Sequence, residues 1–347
     1  AETNMLARVD DAGKENLRET FRLARGVLGC DGDVIDCDED TALTLVTRAW
    51  VTVEREKARK FADRIDRLIL RLSGILKADF MKSDDARDPE QLRRSVGTAF
   101  EAEFDFQEMS RILSSAAPPN PLSEIRRQRI RAVLSVLEQQ RFFPPPGAHP
   151  AGADMQGAHS FTFTQCSQAL QAFQDRLPEM AELMKAVSIA ELEIENWYTE
   201  EKHDPYFDSF DENSLRLEDL ASFPSYLVHL RGRKLDAAEQ GCLFQILASD
   251  LAIKVLHQTD DILDDLSAAT VQFSSGGRTA LMAGMAVGLN SAYVLQSATA
   301  GLYGLRDSIL NGLAFHGPAL INVYSGSTGT APGLPSYIVS AAATDSR

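Results

Sequence analysis

Ala248-Ser-Asp-Leu-Ala-Ile-Lys-Val-Leu-His-Gln-Thr-Asp-Asp-Ile-Leu-Asp-Asp265 opens the stretch that decides the fold, and His316-Gly-Pro-Ala-Leu-Ile-Asn-Val-Tyr-Ser325 closes it. The first segment reads as a strand, Ile253-Lys-Val-Leu-His257, running into an acidic loop. A segment spaced by small residues, Gly276 to Gly304, follows, then a helix from Leu305 to Ala314 and a final strand. Upstream, Tyr226-Leu-Val-His-Leu230 reads as a buried strand and Leu235 to Ser249 as a helix. Strand, helix, strand is the parallel unit of an α/β domain, whose ligands sit in the loops at the carboxyl ends of the strands. Those loops are Arg231-Gly232-Arg233-Lys234 and Gln258 to Asp265.

The chain before this point is mostly helical in pattern. Residues 3–28 read as a charged amphipathic helix, with Leu17, Phe21, Ala24 and Leu28 at helical spacing. The loop from Gly29 to Asp40 holds six acidic residues. It lacks the ligand order and the sixth-position glycine of a calcium-binding EF-hand, and reads better as an acidic turn before the next helix. From Leu43 to Leu76 the apolar positions Val46, Trp50, Phe61, Ile65, Leu68 and Leu72 recur by threes and fours, the pattern of a helical hairpin or coiled-coil arm. The return leg is expected over Glu90 to Ser114 or Leu122 to Gln140. Phe142-Phe-Pro-Pro-Pro-Gly-Ala-His-Pro150 begins a Pro- and Gly-rich linker. Residues 166–197 form another helical stretch, which Pro178 is expected to kink or divide. His203 with Asp204, Asp208 and Asp211 has the composition of a metal cluster, although Tyr206, Phe207 and Phe210 between them fit a loop tucked onto a core.

The totals exclude several classes of function. A net charge of −15 leaves no positive field for nucleic acid. No apolar run of membrane-spanning length occurs, and Ala1-Glu-Thr-Asn-Met-Leu6 lacks the basic and apolar parts of a signal peptide, so the cytoplasm or another soluble interior compartment is expected. The start at Ala1 rather than methionine fits one piece of a longer polypeptide. Four scattered cysteines, Cys30, Cys37, Cys166 and Cys242, make neither a disulfide framework nor a zinc site.

The residues resemble the thiamine diphosphate domain of pyruvate:ferredoxin and related 2-oxoacid oxidoreductases. Leu247-Ala-Ser-Asp-Leu-Ala-Ile-Lys-Val-Leu256 is similar to that family's L-A-S-G-x-x-I-K-V-L. Ala292-Tyr-Val-Leu-Gln296 is similar to its Y-V-A-Q, and Gly317 to Ser325 to its G-P-A-L-x-x-x-Y-S. Gly32 to Asp40 resembles its G-A-C-A-G-C-G-E-T more loosely. The resemblance implies an α/β fold with a thiamine-diphosphate-enzyme-like parallel sheet, into which a long helical, coiled-coil-like arm is inserted. The expected organisation is 1–42 for the start of the α/β domain, 43–141 for the arm, 142–159 for the linker and 160–347 for the α/β core.

The departures from the family bear on function. Where it has a Gly-Asp-Gly loop holding Mg²⁺, this chain has Arg231, Gly232 and Arg233. Its second metal loop falls on Thr259, Asp260 and the residues up to Ser267, with Asp265 in place of the asparagine and no glycines for close approach of the diphosphate. Of its four cluster cysteines, the positions fall on Val34, Cys37, Cys166 and Ser327, and two thiolates do not hold a four-cysteine cluster. Glu39 remains as the family's acid-base residue. The acidic group Asp260, Asp261, Asp264 and Asp265 reads either as a rearranged cation site beside an arginine-held anion or as a solvated loop. The expectation is a non-catalytic structural or regulatory subunit, forming a homo-oligomer or joining sister oxidoreductase subunits, with no metal and no cofactor. The alternative is an active part of a 2-oxoacid:ferredoxin oxidoreductase using thiamine diphosphate and Mg²⁺.

Overall fold

The computed structural model describes residues 10–28, 40–83, 85–96, 104–115, 122–143, 161–231, 235–259, 279–325 and 336–345. The chain divides into two compact units. The first comprises residues 1–55, 160–172 and 225–347; the second comprises 56–159 and 173–224.

Unit one is an α/β unit built on five parallel strands. They are β1 (Thr162–Phe163), β2 (Tyr226–Arg231), β3 (Ile253–Thr259), β4 (Tyr293–Ala298) and β5 (Ala319–Tyr324), in the order β1-β2-β3-β5-β4. Helix Ala237–Leu247 joins β2 to β3, helix Thr279–Leu289 lies between β3 and β4, and helix Arg306–Ala314 joins β4 to β5. The first two crossovers move forward across the sheet and the third moves back. Right-handed connection therefore puts the third helix on the opposite face from the other two. In agreement, the first two touch each other, and the third packs on β4 and β5. β2, β3 and β5 bury nearly every residue, as parallel strands covered on both faces do.

One buried charge sets the position of β5. Lys254 is fully buried, and its ammonium donates to the carbonyl oxygens of Phe315 and Gly317, the latter at 2.6 Å. Those carbonyls lie just before β5, and the ladder pairs Lys254 with Ala319. Beside it, the Gly312 position has no room for a side chain, since a Cβ would stand 2.7 Å from the Tyr293 ring. Before β2, at the same amino-terminal edge of the sheet, Glu54 accepts from the Ser225 hydroxyl at 2.6 Å, and the Trp50 indole donates to that hydroxyl at 3.0 Å. Glu239 serves two helices at once. It lies in the first turn of Ala237–Leu247, and its carboxylate accepts from the Cys166 N–H at 2.7 Å, capping the start of Cys166–Ile194.

The segment rich in small residues differs from its sequence reading. It holds both a helix, Thr279–Leu289, and the edge strand β4. Its helix accommodates Gly284 and Gly288, and it stops at Asn290, which takes the left-handed conformation with φ 56°. Pro178 does not divide its helix: Cys166–Ile194 runs through it as one element. The strands β2, β3 and β5 fall where the apolar runs place them.

Unit two is helical. The long helix Thr41–Phe80 contributes everything after Arg55, and Cys166–Ile194 everything after Ala172. Between them in sequence lies Glu124–Gln139, whose buried face is Ile130, Val133, Leu134 and Leu137. Its direction follows from its ends. Asp79 accepts from the Leu122 N–H at 2.7 Å and from Arg127 at 3.0 Å, while Phe143, beyond the helix, packs 5.1 Å from Phe61. The leg after Leu122 thus returns antiparallel to the long helix.

Glu193 ties this unit together. It is 1% exposed, and its two carboxylate oxygens accept from Arg126 Nε at 2.7 Å and Arg129 Nε at 2.6 Å. Arg126 also donates to the Glu193 carbonyl and to Asn196. The surface pair Arg64–Glu191, at 2.7 Å, joins the long helix Thr41–Phe80 to Cys166–Ile194 through solvent-exposed atoms. A buried pair broken on one side leaves an uncompensated charge, whereas an exposed pair is screened. Glu193→Ala is expected to destabilise unit two by about 3–5 kcal/mol and Glu191→Ala by about 1 kcal/mol or less, read as shifts in the urea midpoint.

Candidate functional site

Ligands of open parallel sheets bind outside the carboxyl ends of the strands, where the strand order reverses. Here the order reverses at β5, which inserts between β3 and β4. The carboxyl ends of β2, β3 and β5 are therefore the candidate site.

Of the residues expected there, two are described. Arg231 is the last residue of β2, and Thr259 the last of β3. Arg231 Nη1 donates to Asp40 Oδ1 at 3.0 Å, in an ion pair whose side chains are 35% and 56% exposed. At that exposure the pair stabilises by about 1 kcal/mol or less. The Thr259 carbonyl accepts from the Ser325 N–H at 2.9 Å, which continues the β3–β5 ladder by one step. Glu39, Gly232, Arg233, Asp260 and Asp265 lie outside the described residues, as do the rest of the acidic loops and Cys30 and Cys37.

The structure brings together four further side chains that sequence reading did not single out. His257 and Asn322 are partners in the β3–β5 ladder and so project from the same face. His257 Nδ1 donates to Asn322 Oδ1 at 3.1 Å, with both residues buried. On the other face, His229 Nε2 donates to Gln258 Oε1 at 3.3 Å. Burial holds His257 below its ordinary histidine value, and the charge of His229 adds to this, while the bond to Asn322 opposes it. His229 is likewise lowered, first by burial and then by the Arg231 guanidinium, against the bond to Gln258 and the charge of Asp40. Both imidazoles are thus built in as neutral groups, each orienting an amide. Their signal in the sequence was a histidine interrupting an apolar run near the carboxyl end of two successive strands.

Beyond β5, the Ser340 hydroxyl accepts from the Ala300 N–H at 2.8 Å, and Thr299 donates to the Tyr324 carbonyl at 3.2 Å. The first bond holds helix Ser336–Asp345 to the turn that follows β4, and the second holds that turn to the end of β5. Cys166 is buried, and burial pushes its thiol up to about 12, so it is inert as a nucleophile at neutral pH. Among the described residues no group of His, Cys, Asp and Glu is arranged to hold a metal ion. His203 Nδ1 lies 2.9 Å from the Thr199 amide nitrogen and 3.0 Å from the Thr199 carbonyl, engaged with the start of its own helix. No described helix is long and apolar enough to cross a membrane.

Comparison with known proteins returned no matching family model, no matching curated protein and no matching solved structure.

The neutral histidines predict a pH dependence. The unfolded chain protonates His257 below about 6.5, whereas the fold, with its lowered value, does not. The unfolded state then binds the extra proton. The contribution of His257 is complete well above 6.5 and is lost as the pH falls through that value. The urea midpoint should fall between pH 7.5 and 5.5, and His257→Gln should flatten that fall. An equally steep fall in the variant would contradict this role.

Proposed function

We propose that the chain is a non-catalytic subunit descended from a 2-oxoacid:ferredoxin oxidoreductase, acting through assembly with further copies or with sister subunits. In this reading unit one is the thiamine-diphosphate-enzyme fold, and unit two is the inserted coiled-coil-like arm. The observation that carries it is Arg231. The resembled family begins its Mg²⁺ loop at this strand end, and here a guanidinium stands there, held by Asp40 at 3.0 Å. A hard divalent cation takes oxygen ligands, and a fixed positive charge beside its seat repels it. The described residues of this edge do not fit Mg²⁺ and a diphosphate as that family binds them.

Helix Thr279–Leu289 supports the assembly part of the reading. Its sequence, Thr-Ala-Leu-Met-Ala-Gly-Met-Ala-Val-Gly-Leu, carries no charge, and a helix apolar all round is ordinarily buried. Ala283 and Ala286 are buried, but Met285, Val287 and Leu289 are 52%, 63% and 40% exposed. An apolar face of this kind marks an interaction surface.

Two measurements test the two parts. Titrating the chain with thiamine diphosphate and Mg²⁺ in a calorimeter should give no saturable heat; micromolar binding would establish the active alternative instead. Light scattering should give a multiple of the chain mass, returning to a single chain in Met285→Asp/Val287→Asp. A wild-type chain that is already single, with no sister subunit copurifying, would remove the assembly reading.

A further inference from the structure

The described sheet has two edges, and they differ. At one, β1 is two residues long and gives way almost at once to helix Cys166–Ile194, and so short a strand offers little to pair with. At the other, β4 runs for six residues, Tyr293-Val-Leu-Gln-Ser-Ala298, in unbroken register with Ala319 to Tyr324. It has no bulge, no proline and no charge, the devices by which an edge is ordinarily protected. Among the described residues β4 pairs with β5 alone. The Tyr293 N–H donates to the Pro318 carbonyl at 3.0 Å, so the backbone groups of Tyr293 turn toward β5 and those of Val294 turn outward. Ser297 and Ala298 are buried, but Tyr293, Val294 and Leu295 are half-buried and Gln296 is exposed, unlike the covered strands β3 and β5.

Charge decides what this edge can receive. Residues 279–347 carry two acidic and two basic side chains, so the whole net charge of −15 lies in residues 1–278. The helices that pack on β4, namely Thr279–Leu289, Arg306–Ala314 and Ser336–Asp345, all belong to the neutral part. Two copies of so acidic a chain repel one another, and least where they meet through segments without net charge. A partner chosen by positive charge would be drawn to the acidic remainder instead. An edge strand also carries a row of backbone donors and acceptors that its own image, turned about a twofold axis, matches in antiparallel pairing. We propose that two copies of the chain join β4 to β4, antiparallel, in one continuous sheet. The inference rests on the assembly reading and names both the partner, a second copy, and the contact.

The test is light scattering on the full chain at physiological salt, with far-ultraviolet spectra to confirm folding. Wild type should give twice the chain mass. Gln296→Lys and Gln296→Glu each place like charges across the twofold axis, so each alone should fall to a single chain. Mixed in equal amounts they place opposite charges there, and the mass should return to twice that of the chain. Val294→Pro removes an outward N–H without touching the β4–β5 ladder and should also give a single chain. In wild type the Val294 amide should exchange about tenfold more slowly in concentrated than in dilute solution, a readout that needs no variant. Folded variants that keep twice the mass, or a Val294 amide indifferent to concentration, overturn the strand contact and leave assembly through another surface standing. A mixture that stays single overturns self-pairing. A wild-type chain that is already single removes this contact as well, and copurification of a sister subunit then decides the assembly reading by itself.

Discussion

A fully buried ammonium must find oxygens inside the protein, and Lys254 finds them in the carbonyls of Phe315 and Gly317. Unmet, that charge would cost several kcal/mol, more than most single contacts contribute. Met in this way, it locks the turn before β5 onto β3 and places β5 between β3 and β4. The reversal of strand order, and with it the location of the candidate site, follows from that placement. The His257–Asn322 pair sits further along the same ladder and depends on the same register.

Unit two solves a matching problem with the opposite sign. Glu193 is as buried as Lys254, and two arginines from one helix reach it. A chain of contacts then leads outward, through Arg129 to Tyr198 and from Tyr198 to Asp204 and Phe207. The exposed Tyr206 ring lies 5.1 Å from that of Phe207, at the outer end of this chain of contacts. Helix Glu200–Asp208 is thereby tied to the buried Glu193.

Much of the fold was legible. Buried parallel strands announce themselves as apolar runs, and Tyr226–Leu230, Ile253–His257 and Ala319–Tyr324 did so. The long helix was legible from Val46 to Leu72 because its core positions hold the helical period. Thr279–Leu289 and β4 were not, since small apolar residues carry no periodic contrast and two glycines read as loop. Pro178 was expected to kink or divide its helix because proline removes a backbone donor. In the fold the helix continues, with Met180, Leu183, Met184 and Val187 buried beyond it. The candidate site was legible only at Arg231 and Thr259, the strand ends; His229, His257, Gln258 and Asn322 are brought together by ladder pairings that no local pattern encodes.

By itself the sequence determined the α/β class, the position of most elements and the acidic character of the chain, because hydrophobic period and net charge are properties of residues in order. The strand order, the direction of the return helix and the partners of Lys254, Glu193 and Arg231 were decided only by tertiary structure. Each of those is a pairing between residues far apart in the chain, and a buried charge reveals its partner only when the fold has closed around it.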